Sequence, residues 1–296
     1  IQKHYIILLS MNIVLLVFGN DIKYHIQTYF CILTILKHCS KDSVISLYTD
    51  CPEYYVRLNN LIDIIPLDKN KLNLWINDTG YIFRAKIKAI QDSALRNPDK
   101  HLLFLDCDTV IYKSLQGILH LLDKGCGVMC NDEGHPSKMK GASLTMWKNL
   151  AGERIQNCTV SLKHNVWNSG VIGIPKDKLT DVIGLALEAC DFILDKQTGC
   201  FTAEQYAFSI AMQENTEVYS AQEWVIHYWG NKDGWTQVAA NMLNNSFLKN
   251  RTVEEEIQDL DGIDFMSIPY RVKKHLMNKR LCKLVNKIIP DTIFKF

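Results

Sequence analysis

The segment Leu102-Leu103-Phe104-Leu105-Asp106-Cys107-Asp108-Thr109-Val110 joins an apolar run to two closely spaced carboxylates. An unbroken apolar run of this kind is typical of a buried parallel strand, and side chains two positions apart leave a strand on the same face. Asp106 and Asp108 can therefore converge at the carboxyl end of the strand, where open α/β sheets bind their ligands. Two carboxylates at that edge suit a hard divalent cation, which can in turn bind the oxygens of a diphosphate. The simpler interpretation is an Asp-rich turn that closes a core strand.

Strand-like and helix-like segments alternate along the chain on both sides of this strand. The predicted strands cover residues 13–19, 44–48, 62–67, 101–105, 127–130, 170–174 and a run that ends at His227. The predicted helices cover residues 24–39, 83–95, 114–122, 179–195 and 203–213. This order predicts an α/β fold with a mainly parallel, twisted sheet that is flanked by helices and joined by right-handed crossovers. We expect a single domain over residues 11–265, followed by a basic helical tail over residues 266–296.

The composition of the chain is that of a globular protein. Its 296 residues are 47% apolar and 22% charged, enough for one large α/β domain. The formal net charge of +1 gives no overall field that would attract nucleic acid, so no nucleic-acid partner is expected. The ten cysteines are scattered, without the spacing of a zinc site or a disulfide framework. We therefore expect reduced, buried thiols and a cytoplasmic protein rather than one of the Golgi or ER lumen, although four Asn-x-Ser/Thr sequons hint weakly at secretion.

Two segments bear on membrane association. Residues 5–19 are apolar enough to resemble an anchor, but they are short for a membrane span and are better explained as the first strand. Residues 270–296 contain eight basic residues and one acidic residue, and apolar residues recur among them at helical spacing. This tail is either a basic helix packed on the domain or a peripheral anchor on an anionic membrane surface.

Other polar residues fall where the predicted strands end or where helices begin. Asn20, Asp21 and Tyr24 follow the first strand, at a loop where a nucleotide base could lie. Lys86 precedes the acidic strand and could neutralise a diphosphate leaving group. His227 ends a strand and is followed by a Gly/Lys loop that could cradle phosphate, so it is a candidate for a third metal ligand.

Taken in order, these motifs resemble a known enzyme family. The series is Asn20-Asp21-x-x-Tyr24, Lys86, Leu105-Asp106-Cys107-Asp108-Thr109, Asn168-Ser169-Gly170, Glu204-Gln205 and His227-x-x-Gly230. It is similar to the GT-A glycosyltransferases of family 8, which include glycogenin and the bacterial lipopolysaccharide galactosyl- and glucosyltransferases. The resemblance covers residues 12–236 and implies a single Rossmann-like GT-A domain. It also implies transfer of a hexose, glucose or galactose, from a UDP-sugar to a glycan, lipid-linked or protein acceptor, with retention of configuration.

The resemblance also implies roles for residues of this chain. The metal ion, Mn²⁺ or Mg²⁺, would be held by Asp106, Asp108 and His227. The UDP-sugar and its metal would be bound by Asn20, Asp21, Tyr24, Lys86, Asp106, Cys107, Asp108, Ser169, Gly230 and Lys232. Catalysis at the donor sugar and acceptor would involve Lys86, Asn168, Glu204 and Gln205. The chain departs from the family pattern at Glu204, where aspartate is usual, and after His227, where the usual Lys-Pro-Trp lacks its proline.

Two other functions are compatible with the acidic strand. In a phosphatase of the haloacid-dehalogenase type, Asp106 would attack phosphorus and Asp108 would act as acid and base. Such an enzyme also needs a later strand that ends in an acidic pair for Mg²⁺. We expect the only late acidic cluster to be the one at residues 259–264, which follows a charged helix instead of an apolar strand. The other alternative is a catalytically inactive protein that binds a nucleotide sugar.

Overall fold

The computed structural model describes residues 10–196 and 201–272. The strands of this part of the chain are β1 (Met11–Val17), β2 (Val44–Thr49), β3 (Asp63–Pro66), β4 (His101–Leu105), β5 (Thr109–Ile111), β6 (Gly127–Met129), β7 (Asp132–Gly134), β8 (Arg154–Ile155), β9 (Cys158–Thr159), β10 (Val166–Trp167), β11 (Val171–Ile174), β12 (Val218–Ser220) and β13 (Val225–His227). Its α-helices are α1 (Ile22–His38), α2 (Lys69–Ile76), α3 (Arg84–Arg96), α4 (Gln116–Asp123), α5 (Ala142–Leu150), α6 (Leu179–Asp195), α7 (Ala203–Asn215), α8 (Lys232–Leu248) and α9 (Val253–Asp259). The predicted strands and helices are all present, with ends that differ by a few residues.

Seven of the strands form the central sheet, in the order β12-β6-β11-β4-β1-β2-β3. β1 pairs in parallel with β2 and β4, and β2 pairs in parallel with β3. β11 runs antiparallel to its neighbours β4 and β6, whereas β12 is parallel to β6. The predicted α/β class, with a mainly parallel sheet flanked by helices, is therefore confirmed.

The reversed direction of β11 determines which residues reach the carboxyl edge of the sheet. β4 ends at Leu105, and the backbone N–H of Asp106 donates a hydrogen bond to the Gly170 carbonyl at 2.8 Å. Because β11 runs against β4, its beginning lies beside the end of β4. The loop that precedes β11, residues 168–170, is thereby placed next to the two aspartates.

The apolar core fills both faces of the sheet. Phe104 faces the core formed with α3, α6 and α7, while Leu103 and Leu105 face the core formed with α1, α4 and α8. All five residues of β4 are buried, which explains why this strand reads as a continuous apolar run. Each fully buried Leu, Ile or Phe side chain contributes about 1.5–3 kcal/mol. Burial therefore holds the strand that carries the two aspartates firmly in place.

One segment beside the site differs from the prediction. The residues after His227 were predicted to form a Gly/Lys loop, but the chain enters α8 at Lys232. The loop prediction holds for residues 228–231 but was wrong from Lys232 onward, because glycines and polar residues at 230–234 conceal the start of a helical pattern. Trp235, Ala239 and Met242 recur at helical spacing in this pattern and are buried in the core.

The cysteines of the described chain are all free thiols. The buried ones are Cys31, Cys51, Cys130, Cys158 and Cys190. Their scattered spacing in the sequence predicted reduced thiols packed into apolar surroundings, and these positions agree with that prediction.

The ends of the described chain bear on the membrane predictions. Residues 11–17 of the segment that resembles an anchor form β1, between β2 and β4. No helix in residues 10–196 and 201–272 combines the length and the apolar character needed to cross a bilayer. The domain boundary at residues 265–266 stays a prediction, although Pro269 and Arg271 contact the loop after His227. The basic tail lies outside the described residues from position 273 onward.

Candidate active site

Three potential metal ligands meet at the carboxyl edge of the sheet. Asp106 and Asp108 follow the last residue of β4. His227 reaches them because β13 pairs with β5, which places His227 opposite Thr109. One ligand atom from each of the three residues lies within 4.8 Å of the others. The fold thus brings together the three residues that the sequence analysis grouped.

The histidine is oriented as metal coordination requires, with Nδ1–H directed at a neighbouring amide oxygen. Asn168 Oδ1 accepts a hydrogen bond from the Gly170 backbone N–H at 3.0 Å, which fixes the side of the amide that carries the oxygen. His227 Nδ1 lies 2.9 Å from the same oxygen and must therefore donate to it. Its Nε2 lies 3.3 Å from Asp108 Oδ1 and 3.9 Å from Asp106 Oδ2. A histidine oriented through Nδ1–H presents Nε2 to a cation, so these residues fit a divalent metal such as Mn²⁺.

Opposite charges surround Asp108. Burial alone would raise the pKa of this carboxyl, but the His227 imidazole and the Lys232 ammonium outweigh burial and hold the pKa well below its usual range. Burial would likewise lower the pKa of His227, and the Asp108 carboxylate instead raises it to about 10. Asp108 is therefore ionised at neutral pH, which is the form of a carboxyl that binds a cation.

Lys232 is the cation best placed to meet a phosphate group. Its Nζ lies 2.8 Å from Asp108 Oδ2 and 5.9 Å from the centre of the Tyr24 ring, and 44% of its side chain is exposed. Burial opposes the charged form of Lys232, but Asp108 outweighs it and raises the pKa of the ammonium. Lys232 is also the first residue of α8, and the N-terminus of a helix favours anions. The Lys232 ammonium therefore lies between Asp108 and Tyr24.

The space for the His227 ring depends on Gly170. A Cβ atom added at Gly170 would lie 2.2 Å from both Cε1 and Nδ1 of His227, far inside contact distance. Asn168 and Gly170 therefore both determine the position of the His227 ring. Asn168 accepts its hydrogen bond, and Gly170 leaves room for the ring because it has no side chain. This gives a physical reason for the Asn-Ser-Gly sequence before β11.

We expect Gly170→Ala to displace His227 and to weaken Mn²⁺ binding by at least about tenfold, as found when groups that orient metal ligands are changed. Calorimetric titration with Mn²⁺ measures the effect. Gly184→Ala in α6 is the matched control, because an added Cβ there meets nothing within 4 Å. Equal Mn²⁺ affinities for Gly170→Ala and the unaltered protein would argue against His227 as a ligand.

Lys86 faces the carboxylates from the interior of the protein. Its Nζ lies 3.0 Å from Asp106 Oδ1 and 2.9 Å from Glu204 Oε1, and Ser169 Oγ donates to the same Glu204 oxygen at 2.7 Å. Burial alone would lower the pKa of Lys86, but Asp106 and Glu204 raise it above its usual value. Only 8% of the Lys86 side chain is exposed. Lys86 therefore neutralises the two carboxylates from the buried side of the site. Its contact with a diphosphate stays a prediction.

A carboxylate that the sequence analysis did not single out completes the polar wall. Glu133 accepts hydrogen bonds from Asn168 Nδ2 at 3.1 Å and from Gln205 Nε2 at 3.0 Å. It belongs to the pair Asp132-Glu133, which follows soon after β6 ends at Met129. The expectation that residues 259–264 form the only late acidic cluster was therefore wrong, because this short apolar strand is also followed by an acidic pair. That pair was the signal that could have identified Glu133.

These residues open into a cavity of about 490 Å³. Its polar side is formed by Asp106, Asp108, Glu133, Asn168, Gln205, His227 and Lys232. Its apolar side includes Met139, Met146, Val166, Phe201 and Trp229. The apolar residues were not predicted, because they come from helix α5, the two-residue strand β10 and connecting segments that carry no motif. A cavity of this size with a mixed lining is typical of a small-molecule site.

The remaining predicted residues lie in the loops beside the cavity. Asn20 and Asp21 are exposed between β1 and α1, where the Asp21 side chain caps the helix. Cys107 separates the two aspartates, but its thiol donates to the Leu16 carbonyl at 3.2 Å. Gly230 forms a bridge with the segment that ends the described chain. The ligand-binding roles of these residues stay predictions.

A second cluster of potential ligands has the wrong tautomer for a metal. Atoms of Cys158, His164 and Glu214 also lie within 4.8 Å of one another. The Ser161 backbone N–H donates to His164 Nδ1 at 3.1 Å, so the ring hydrogen is on Nε2, which donates to Glu214 at 2.7 Å. The Lys163 ammonium lies 2.8 Å from the same carboxylate oxygen. This cluster is a hydrogen-bonded network that ties the β8–β9 hairpin region to α7.

Comparison with known proteins finds similarity only to solved structures, and that similarity is distant. No protein-family model matches the chain, and no curated protein matches it. The apo crystal structure of mouse xyloside xylosyltransferase 1 matches with 12% identity and a TM-score of 0.45, over 72% of this chain and 85% of that one. A galactosyltransferase in complex with donor and acceptor sugar analogues matches with 12% identity and a TM-score of 0.47, over 70% of this chain and 73% of that one. Both proteins are glycosyltransferases, the class that the order of motifs resembles.

Proposed function

We propose that the chain is a GT-A glycosyltransferase that uses Mn²⁺ or Mg²⁺ to transfer a hexose from a UDP-sugar to a carbohydrate, lipid-linked or protein acceptor. The observation that carries this proposal is the cluster of Asp106, Asp108 and His227, in which Nδ1 of the histidine is fixed and Nε2 faces both carboxylates. The cavity beside the cluster and the order of motifs support it. Retention of configuration belongs to the proposal through the family resemblance.

The residues of the site would hold the diphosphate end of the donor. A cation bound by Asp106, Asp108 and His227 would supply positive charge that stabilises the departing UDP. Lys232, which now pairs with Asp108, would also have a phosphate oxygen within the reach of its flexible side chain. The amino end of α8 adds to the same positive field. Charges that are in place before the reaction favour departure of the leaving group without further rearrangement.

The sugar end of the donor and the acceptor would meet the polar wall of the cavity. Asn168 and Gln205 are both hydrogen-bonded to Glu133, so the three side chains form one connected surface. Amide and carboxylate groups fixed in this way can orient the hydroxyl groups of two sugars against each other. Such orientation supplies a large part of the rate enhancement in transfer reactions.

A phosphatase of the haloacid-dehalogenase type is less well supported. In that mechanism the second aspartate, here Asp108, must carry a proton to the leaving group. Asp108 lies 2.8 Å from the Lys232 ammonium and 3.3 Å from His227 Nε2, contacts that stabilise its ionised form. An ionised carboxylate is a poor general acid but a good metal ligand, which favours the glycosyltransferase proposal.

Thermal unfolding in the presence of nucleotide sugars tests the proposal. We expect UDP-glucose or UDP-galactose with Mn²⁺ to stabilise the protein, by about 2.7 kcal/mol at a ligand concentration 100 times the dissociation constant. With EDTA the same nucleotides should give little stabilisation, because the diphosphate would then face uncompensated carboxylates. ADP-glucose with Mn²⁺ is the control for recognition of the uracil base.

The possible outcomes separate the three functions. A Mn²⁺-dependent shift together with release of UDP supports a transferase. The same shift without UDP release under any condition would indicate a protein that binds the donor but is inactive. Mg²⁺-dependent hydrolysis of 4-nitrophenyl phosphate, with no shift from any UDP-sugar, would contradict the proposal in favour of a phosphatase.

A further inference from the structure

A second cavity lies beside the candidate active site and shares part of its wall. Its volume is about 180 Å³. His227 and Trp229 line both this cavity and the larger one that contains the aspartates. Tyr112, Gln222, Met266 and Tyr270 belong to the lining of the smaller cavity, which we call the Trp229 cavity. A ligand that extends beyond the larger cavity would pass over Trp229 into the smaller one.

The side chains of the Trp229 cavity are suited to a sugar ring. Trp229 and Tyr270 are 43% and 55% exposed, although both are large aromatic residues. Aromatic rings with a polar tip offer an apolar face together with hydrogen-bonding groups. A pyranose has the complementary character, since its C–H groups form an apolar face and its hydroxyl groups lie at the rim. Half-exposed aromatic side chains around a concave surface therefore suit the binding of carbohydrate.

The walls of the Trp229 cavity are held in place by contacts outside it. The Arg271 guanidinium lies 5.1 Å from the centre of the Trp229 ring and covers one of its faces. Arg271 itself is fixed by a β-bridge to Gly230, and the Val272 backbone N–H donates to the Gly230 carbonyl at 3.1 Å. Elsewhere in the lining, the Tyr112 hydroxyl donates to the Gln222 carbonyl at 2.8 Å. A surface ordered in advance loses less entropy when a ligand binds.

The donor has no need of the Trp229 cavity. Neither Tyr24 nor Lys232, the residues proposed to meet the nucleotide and its phosphates, lines this cavity, and neither do the two aspartates. The wall shared by the two cavities is formed by His227 and Trp229, next to the place where the hexose would be transferred. The molecule that approaches from this side is therefore the acceptor.

We propose that the Trp229 cavity binds a sugar ring of the acceptor, adjacent to the ring that receives the transferred hexose. This inference rests on the proposed glycosyltransferase function. It narrows the acceptor to a glycan of at least two rings, free or attached to a carrier. It also assigns acceptor binding to Met266 and Tyr270, which lie beyond the predicted end of the catalytic domain at residue 265.

A glycan array tests this inference with the full chain in the presence of UDP and Mn²⁺. We expect oligosaccharides of two or more rings to be retained more strongly than their terminal monosaccharides. Tyr270→Ala should weaken that retention by about tenfold, the size of one lost aromatic contact. Phe247→Ala, at the end of α8, is the matched control, because it removes an aromatic side chain that is 81% exposed and distant in sequence from both cavities. Thermal stabilisation by UDP and Mn²⁺ is measured on each protein.

The two measurements distinguish failure of this inference from failure of the proposed function. If UDP and Mn²⁺ stabilise the protein but no oligosaccharide is preferred, or if Tyr270→Ala binds glycans as well as the unaltered protein does, the Trp229 cavity is not an acceptor site. If UDP and Mn²⁺ give no stabilisation of the unaltered protein, the proposed function fails and this inference fails with it. Preserved stabilisation together with weaker oligosaccharide retention in Tyr270→Ala alone supports the inference.

Discussion

Asp108→Asn is expected to abolish the stabilisation of the protein by UDP-sugar with Mn²⁺ and to lower Mn²⁺ affinity by at least about 100-fold. The amide cannot supply the negative charge that a divalent cation requires. It also leaves His227 and Lys232 without the carboxylate that lies 3.3 Å and 2.8 Å from their nitrogen atoms. The Lys232 ammonium, no longer compensated by a carboxylate, would then oppose binding of the cation. Transfer of hexose, measured as release of UDP, should fall with the loss of the metal.

The matched control for Asp108→Asn is Asp99→Asn. Asp99 is an exposed carboxylate near the opposite end of the same strand, just before β4 begins at His101. This substitution removes the same charge from the protein but leaves the carboxyl edge of the sheet unchanged. Circular dichroism of both variants checks that the sheet is retained. Mn²⁺-dependent binding of UDP-sugar by Asp108→Asn would exclude the proposed metal site.

Lys86→Met is expected to lower the free energy of unfolding by about 3–5 kcal/mol, the cost of leaving buried charges without a partner. The ammonium of Lys86 lies between Asp106 and Glu204, at 3.0 and 2.9 Å. Methionine has a similar length but no charge, so both carboxylates lose their compensating partner while the packing volume is nearly kept. Leaving Glu204 without its partner costs more free energy than leaving Asp106 without one. The Glu204 side chain is only 4% exposed, whereas that of Asp106 is 27% exposed and can be solvated by water. Urea unfolding monitored by fluorescence measures the loss.

Two further variants make the Lys86 prediction specific. Lys88→Met, two residues further along α3, should change stability by no more than about 0.5 kcal/mol, because Lys88 bonds to Gln91 near the surface. Adding Glu204→Gln to Lys86→Met should recover part of the lost stability, since one of the two unpaired charges is then removed. Full stability of Lys86→Met alone would show that the buried charges have another means of compensation.

The sheet and its acidic edge could be predicted because the responsible signals are local. The apolar run before Asp106 indicates that both faces of the strand are buried. The two-residue spacing of Asp106 and Asp108 indicates that their side chains point in the same direction. Neither inference depends on any other part of the chain. The start of α8 at Lys232 was missed for the same reason, since its local sequence is rich in glycine and polar residues while its helical face is defined by residues further along.

The rest of the site depends on contacts between distant segments. The residue types of Lys86 and Glu204 do not indicate that they pair with each other across the protein. The hydrogen bond from His227 to Asn168 requires both the antiparallel β11 and the pairing of β13 with β5. Glu133 enters the cavity from the short strand β7 and Trp229 from the loop after β13, and no periodicity in the sequence describes either position. The family resemblance grouped some of these residues by their order, but the reason for each contact is visible only in three dimensions.

The wide separation of the metal ligands along the chain has a consequence for the synthesis and folding of the protein. The metal ligands come from segments that leave the ribosome far apart in time, because Asp106 and Asp108 emerge long before His227. Asn168 and Gly170, which orient the histidine, emerge between them. Chain closure over such separations must come before the three ligands can meet. A cation would therefore bind only once translation has passed β13, and its binding would mark the completion of folding instead of guiding the early steps.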